Sequence, residues 1–231
     1  MAWFMMVFEE QPYFKWEEWK DGSPEVLPFQ GLVPGPKIAD LSALPKTAVQ
    51  KDTKKLCDVI NVRDQGLTLI IVSARFKAIV EHFEPEKHQF FPVTLKRKSG
   101  AVYDDKYFIF HPTSNAPCVL VSKCDIQTTI VVKYGPRTGM PGKFIHYDGY
   151  VISRPAYGTR KVFGSPYVGA DSLLVTDDVM DRMKAERITN LYARPAQELD
   201  EPFVFENEDP ELAAWLAEHP EFRKAMRLEA F

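Results

Sequence analysis

The chain reads as α+β: one domain with a mixed, mostly antiparallel sheet, two similar strand–helix–strand units and a helical C-terminal extension. Three observations predict this. The first is residues 67–93, LTLIIVSARFKAIVEHFEPEKHQFFPV. Six largely apolar residues have the length of a buried strand, Ser73 then interrupts as an N-cap, and Phe76, Ile79, Val80 and Phe83 recur at helical spacing. A polar turn over 84–87 leads to a second apolar run, Phe90-Phe91-Pro92-Val93.

The second observation is a copy of that pattern at residues 172–195, SLLVTDDVMDRMKAERITNLYARP. Ile70-Ile71-Val72-Ser73 lies over Leu173-Leu174-Val175-Thr176, an offset of 103 residues, and Phe76 and Val80 fall on Val179 and Met183. Two copies this far apart are no solenoid, which stacks several short adjacent repeats. They predict a pseudo-symmetric pair inside one fold. The third observation lies between the copies, where residues 107–110, 119–121, 127–134, 144–153 and 160–163 read as short strands rich in β-branched and aromatic side chains.

In chain order, MAWFMMVF is an N-terminal strand, too short and too soon followed by Glu9-Glu10 to be a signal peptide or a membrane span. Trp16 and Trp19 are three residues apart, so a helical turn would set them on one face, in the core or as a secondary interface. Residues 22–45 hold five prolines and predict extended, irregular chain. Residues 47–60, with Lys51, Lys54 and Lys55, suggest a short surface helix, and Lys96 to Gly100 a solvated hairpin tip. The loop GPRTGMPGK over 135–143 lacks the first glycine and the Ser or Thr of a Walker loop, so it reads as a hairpin connection. Asp209-Pro210 supplies a cap and a first-turn proline for a helix carrying Leu212, Trp215 and Leu216; Phe222, Met226 and Phe231 suggest a last helix.

A net charge of −3 gives no overall attraction to nucleic acid or anionic membrane. Cys57, Cys118 and Cys124 have neither disulfide nor zinc spacing, which predicts reduced thiols and a cytoplasmic protein. The histidines form no metal pattern and the serines no nucleophile elbow, so neither metal nor cofactor is expected. An alternative is a small cytosolic enzyme gathering His146, Asp148, Arg154 and Arg160 from distant strands; another is a non-catalytic scaffolding module using Trp16 and Trp19.

The run V-S-x-x-F-K-x-[IV]-[IV] ending in Q-F-F-P-V, with its copy V-T-D-D-V-M-D-R-M closing on N-L-Y-A-R-P, resembles the immunity proteins of bacterial polymorphic toxin systems, in the family once catalogued as a domain of unknown function (immunity family eleven). The resemblance covers roughly residues 56–195 of a domain spanning 1–231; it leaves out 22–45 and the tail over 197–231. It implies a non-enzymatic antidote that binds a toxin encoded beside it, and it carries no catalytic residues.

Physics suggests where such a partner would bind. Many toxin domains that act on nucleic acids have basic clefts, and a run of carboxylates would be steered into one. Residues 197–211 hold seven acids and no base: Glu198, Asp200, Glu201, Glu206, Glu208, Asp209 and Glu211. With Phe203 and Phe205 as apolar anchors, they form the expected toxin-binding surface.

Overall fold

The computed structural model describes residues 1–7, 11–19, 31, 34–124, 126–134, 140–147, 149–165 and 172–219. Its strands and helices are, in chain order, β1 (Ala2–Val7), β2 (Phe14–Trp16), β3 (Thr47–Gln50), β4 (Val59–Asp64), β5 (Leu67–Ser73), α1 (Ala74–Phe83), β6 (Gln89–Lys96), β7 (Tyr107–His111), β8 (Ile126–Tyr134), β9 (Met140–Tyr147), β10 (Val151–Ser153), α2 (Arg154–Tyr157), β11 (Val162–Phe163), β12 (Ser172–Thr176), α3 (Asp177–Ala185), β13 (Leu191–Leu199), α4 (Phe205–Glu208) and α5 (Pro210–Glu218). The chain forms two compact units, one of Met1–Ala116 with Thr159–Arg194, the other of Pro117–Gly158 with Pro195–Phe231.

In the first unit a six-stranded sheet runs β2-β3-β6-β7-β5-β4. Every pairing is antiparallel except β3 with β6. Its two ends approach each other: Trp16 N donates to Asp64 Oδ2 at 3.0 Å, and Gln11 Nε2 donates to the Asn61 carbonyl at 2.7 Å. The sheet is thus nearly closed and barrel-like. Gln65 and Gly66, with φ of 50° and 81°, join β4 to β5 in the left-handed conformations that a tight two-residue hairpin demands.

The predicted strand–helix–strand elements are present at both places. Ser73 caps α1, its hydroxyl accepting from Phe76 N at 3.2 Å. The strands on either side of α1, β5 and β6, flank β7, and those on either side of α3, β12 and β13, flank β1. The helices share one core, where Phe76, Ile79 and Val80 of α1 meet Val179, Met180 and Met183 of α3 beneath Val72 and Val175. Burying such side chains contributes about 1.5–3 kcal/mol each, which is why both helices carry one apolar face. The second cap differs from the first. The Thr176 hydroxyl accepts from no backbone N–H of the helix and instead donates to the Asp178 carboxylate, while Asp177 takes the N-terminal ammonium at 2.5 Å and Trp3 Nε1 at 2.7 Å.

Several expectations are corrected. Among the described residues there is not one sheet but two mostly antiparallel mixed sheets, the second including β1 and β11–β13, besides a separate two-stranded β8–β9 sheet. Residues 47–60 form β3, a loop and the start of β4 instead of a helix, because Ala48 and Gln50 are buried on alternate positions, the period of a strand. Trp16 ends a strand and Trp19 lies in the turn after it. Val119 makes an isolated bridge to Ile152, and residues 121–123 form a 3₁₀ turn instead of a strand. Lys143 lies within β9. The last predicted helix, and most of residues 22–33, lie outside the described residues.

In the second unit β8 and β9 form an antiparallel hairpin from Tyr134↔Met140 to Ile126↔Tyr147. The end of β13 runs parallel to β10, pairing Val151 with Gln197 and Ser153 with Leu199. Asp209 and Pro210 start α5 as expected, and Phe205, Ala213 and Leu216 make a small core with Phe203 and Trp215 against it.

Candidate functional site

The acidic segment of the second unit is more structural than its composition suggests. Ser153 caps the short helix α2, which places Arg154 and Tyr157 beside the end of β13. Arg154 reaches Glu198 at 3.5 Å and Asp200 at 3.3 Å, and the Tyr157 hydroxyl donates to Glu198 at 2.6 Å. Burial, followed by the Glu198 hydrogen bond, raises the Tyr157 hydroxyl well above the usual tyrosine range. Glu201 pairs loosely with Lys123 at 3.4 Å. Glu208 accepts from Ser122 N at 2.8 Å and Ser122 Oγ at 3.2 Å, so it caps the 3₁₀ turn.

The nine expected contact residues therefore divide. The Glu198 side chain is only 9 % exposed, Asp209 is buried, and Phe205 fills the small core with Phe203 half-buried beside it, so neither ring is an exposed anchor. Asp200 and Glu201, with side chains 75 % and 51 % exposed, and Glu206 offer carboxylates to solvent. The side chain of Glu211 is outside the described set. Trp16 and Trp19 are buried at 2 % and 4 % exposure, with ring centroids 5.6 Å apart among Phe14, Leu44 and Leu95. They belong to the core, not to a surface. Of the alternative enzyme residues, Asp148 and the His146 side chain lie outside the described set, Arg154 is paired as above, and Arg160 belongs to the first unit. No group of three or more His, Cys, Asp or Glu is placed to hold a metal among the described residues.

The first unit contains a cleft of about 890 Å³ that single-segment reading missed. Its walls come from the loop between β3 and β4, the start of α1, the turn after β6 and the residues before β7. Asp58 organises its floor. One carboxylate oxygen takes Ser73 Oγ at 2.6 Å and Arg75 Nε at 3.2 Å; the other takes Arg75 Nη2 at 2.7 Å, Thr189 N at 2.9 Å and Thr189 Oγ1 at 2.8 Å. Burial would raise the Asp58 pKa, but these donors outweigh it and hold the carboxyl below its ordinary range. Nearby, burial pushes the Cys57 thiol up to about 11, which makes it a poor nucleophile. On the opposite wall Arg97 stacks 4.1 Å over the Tyr103 ring. Two basic runs, Lys54-Lys55 and Arg97-Lys98, were visible in the sequence; their convergence depends on sheet order.

The fold is thus that of a strand-rich α+β protein with a partly paired acidic segment and a cleft lined by cations. The profile of the immunity protein family (Imm11) matches residues 11–198, and the chain belongs to that family. Membership implies a toxin-neutralising role. No curated protein matches the chain. No described helix is long and apolar enough to cross a membrane.

Proposed function

We propose that this chain is a cytoplasmic antidote that binds a cognate toxin domain and blocks it by protein–protein contact, without chemistry of its own. The family match over residues 11–198 carries this reading. The partner's class is proposed as a basic, nucleic-acid-targeting toxin. Asp200, Glu201 and Glu206 are the carboxylates through which the second unit meets it, because they stay largely exposed, Asp200 and Glu201 in solvent-facing pairs with Arg154 and Lys123, while Glu198, Glu208 and Asp209 are more enclosed. Charges at such a rim act mainly on the rate of encounter. The test is the association kinetics of the full chain with the toxin encoded beside it, across a salt series. Asp200→Asn with Glu201→Gln and Glu206→Gln should slow association several-fold at low salt and leave dissociation nearly unchanged. Unchanged association and salt dependence would remove these residues from the interface.

A further inference from the structure

The cleft of the first unit has a charge pattern that the fold does not require. Six cations line it, Lys54, Lys55, Arg75, Arg97, Lys98 and Lys106, against three acids, Asp52, Asp58 and Asp105. Arg75 is committed to Asp58. Lys55, Lys98 and Lys106 are exposed and make no ion pair with a described residue; Lys54, also exposed, is partly offset by the nearby Asp52 carboxylate. Elsewhere in the same unit Lys77, Lys87, Lys96 and Lys161 each sit 2.6–2.8 Å from a carboxylate, whereas Lys15, Lys46 and Lys51 are exposed without such a partner among the described residues but do not all converge on one cleft.

The opposing acids are largely occupied. Asp58 is saturated by Ser73, Arg75 and Thr189, and Asp52 accepts from Tyr13 N, Gln50 Nε2 and Lys54 N. Asp105 remains as an exposed acid at the wall. The start of α1 also lines the cleft and has no acidic residue in its first turn, so its positive end is not offset by its own side chains. Low-dielectric walls focus such a field on whatever enters.

We propose that this cleft seats an acidic, carboxylate-bearing segment of the cognate toxin. This rests on the antidote reading and deepens it. A volume of about 890 Å³ admits several side chains of a protein segment. A floor fixed by Asp58, Ser73, Arg75 and Thr189 is pre-organised, which lowers the ordering cost of binding. An extended polyanion such as nucleic acid is a poorer occupant. It reaches beyond the cleft and meets a chain of net charge −3, whereas a short segment inside feels the local cations.

The experiment compares wild type with Lys54→Glu/Lys98→Glu/Lys106→Glu, and with the milder triple Gln variant, in growth rescue and in affinity for the toxin encoded beside the chain. Thermal melting serves as the fold control, and the Gln variant is read if the Glu variant melts early. The proposal expects both variants to stay folded, bind roughly tenfold or more weakly, lose rescue and show a flatter salt dependence. Wild-type rescue with unchanged affinity in folded variants overturns the cleft assignment and leaves the antidote reading standing. A wild type that neither rescues nor binds overturns both. Loss of binding to a single-stranded oligonucleotide, with toxin affinity unchanged, reassigns the cleft to nucleic acid and overturns the proposal.

Discussion

Glu84 is the C-cap of α1, and its side chain is 5 % exposed. One carboxylate oxygen accepts from Lys87 Nζ at 2.8 Å and Lys161 N at 3.0 Å; the other accepts from His88 Nε2 at 2.7 Å and Val162 N at 3.2 Å. Thr113 N donates to His88 Nδ1, so the proton facing Glu84 is on Nε2. Burial alone would raise this carboxyl, yet the donors led by His88 bring it from 4.5 down to about 2. That fall is worth about 3 kcal/mol of folding stability at neutral pH. Because the folded pKa is depressed, the contribution is fully present above 4.5 and is lost as pH falls toward 2. Glu84→Gln removes the charge and turns an amide N–H₂ toward two donors, so it should cost about 3 kcal/mol at pH 7. Urea denaturation of both proteins from pH 7 down to about pH 3.5 should show the gap narrow by about 1.4 kcal/mol. A gap under about 1 kcal/mol at pH 7, or one that does not change with pH, would refute the reasoning.

Other predictions concern the cleft floor and the cores. Asp58→Asn turns an amide toward the Ser73 and Thr189 donors at a buried position and weakens the pair with the exposed Arg75, so it should destabilise by about 1–3 kcal/mol in the same assay; because the Asp58 pKa is depressed, this difference should also shrink as pH falls below the ordinary aspartate range. Phe76→Ala opens a cavity between α1 and α3 and should cost about 3–5 kcal/mol, read as a lower urea midpoint at unchanged slope. Trp16 Nε1 is buried with no hydrogen-bond partner among the described residues. Trp16→Phe should therefore cost far less than the roughly 3–5 kcal/mol of Trp16→Ala, and toxin affinity should not change in the Phe variant.

How much the sequence revealed depended on how local the signal was. The Ser73 cap, the apolar faces of α1 and α3, and the Asp209-Pro210 start of α5 are set by neighbours a few residues apart, and all were legible. The hairpin over 97–100 was legible too, with Gly100 at φ 90°. Residues 47–60 misled because lysines on a loop imitate the polar face of a helix, and the alternation in β3 spans only four residues. The division into two sheets was hidden, since it depends on β1 pairing with β12 across the length of the chain. The carboxylate strip was visible as composition, but not the partners that engage much of it: Arg154, Tyr157 and Ser122 are remote in sequence and arrive through β10 and the 3₁₀ turn. The cleft was invisible for the same reason, because Lys54, Lys98 and Lys106 come together only through sheet order.

The central claim is that this chain neutralises a toxin by binding it. The most direct measurement is co-expression of the wild-type chain with its cognate toxin, scoring growth and co-purification together. The account predicts restored growth and a stable complex at stoichiometric ratio. A toxin that still kills, with no complex recovered from well-expressed folded protein, would contradict it.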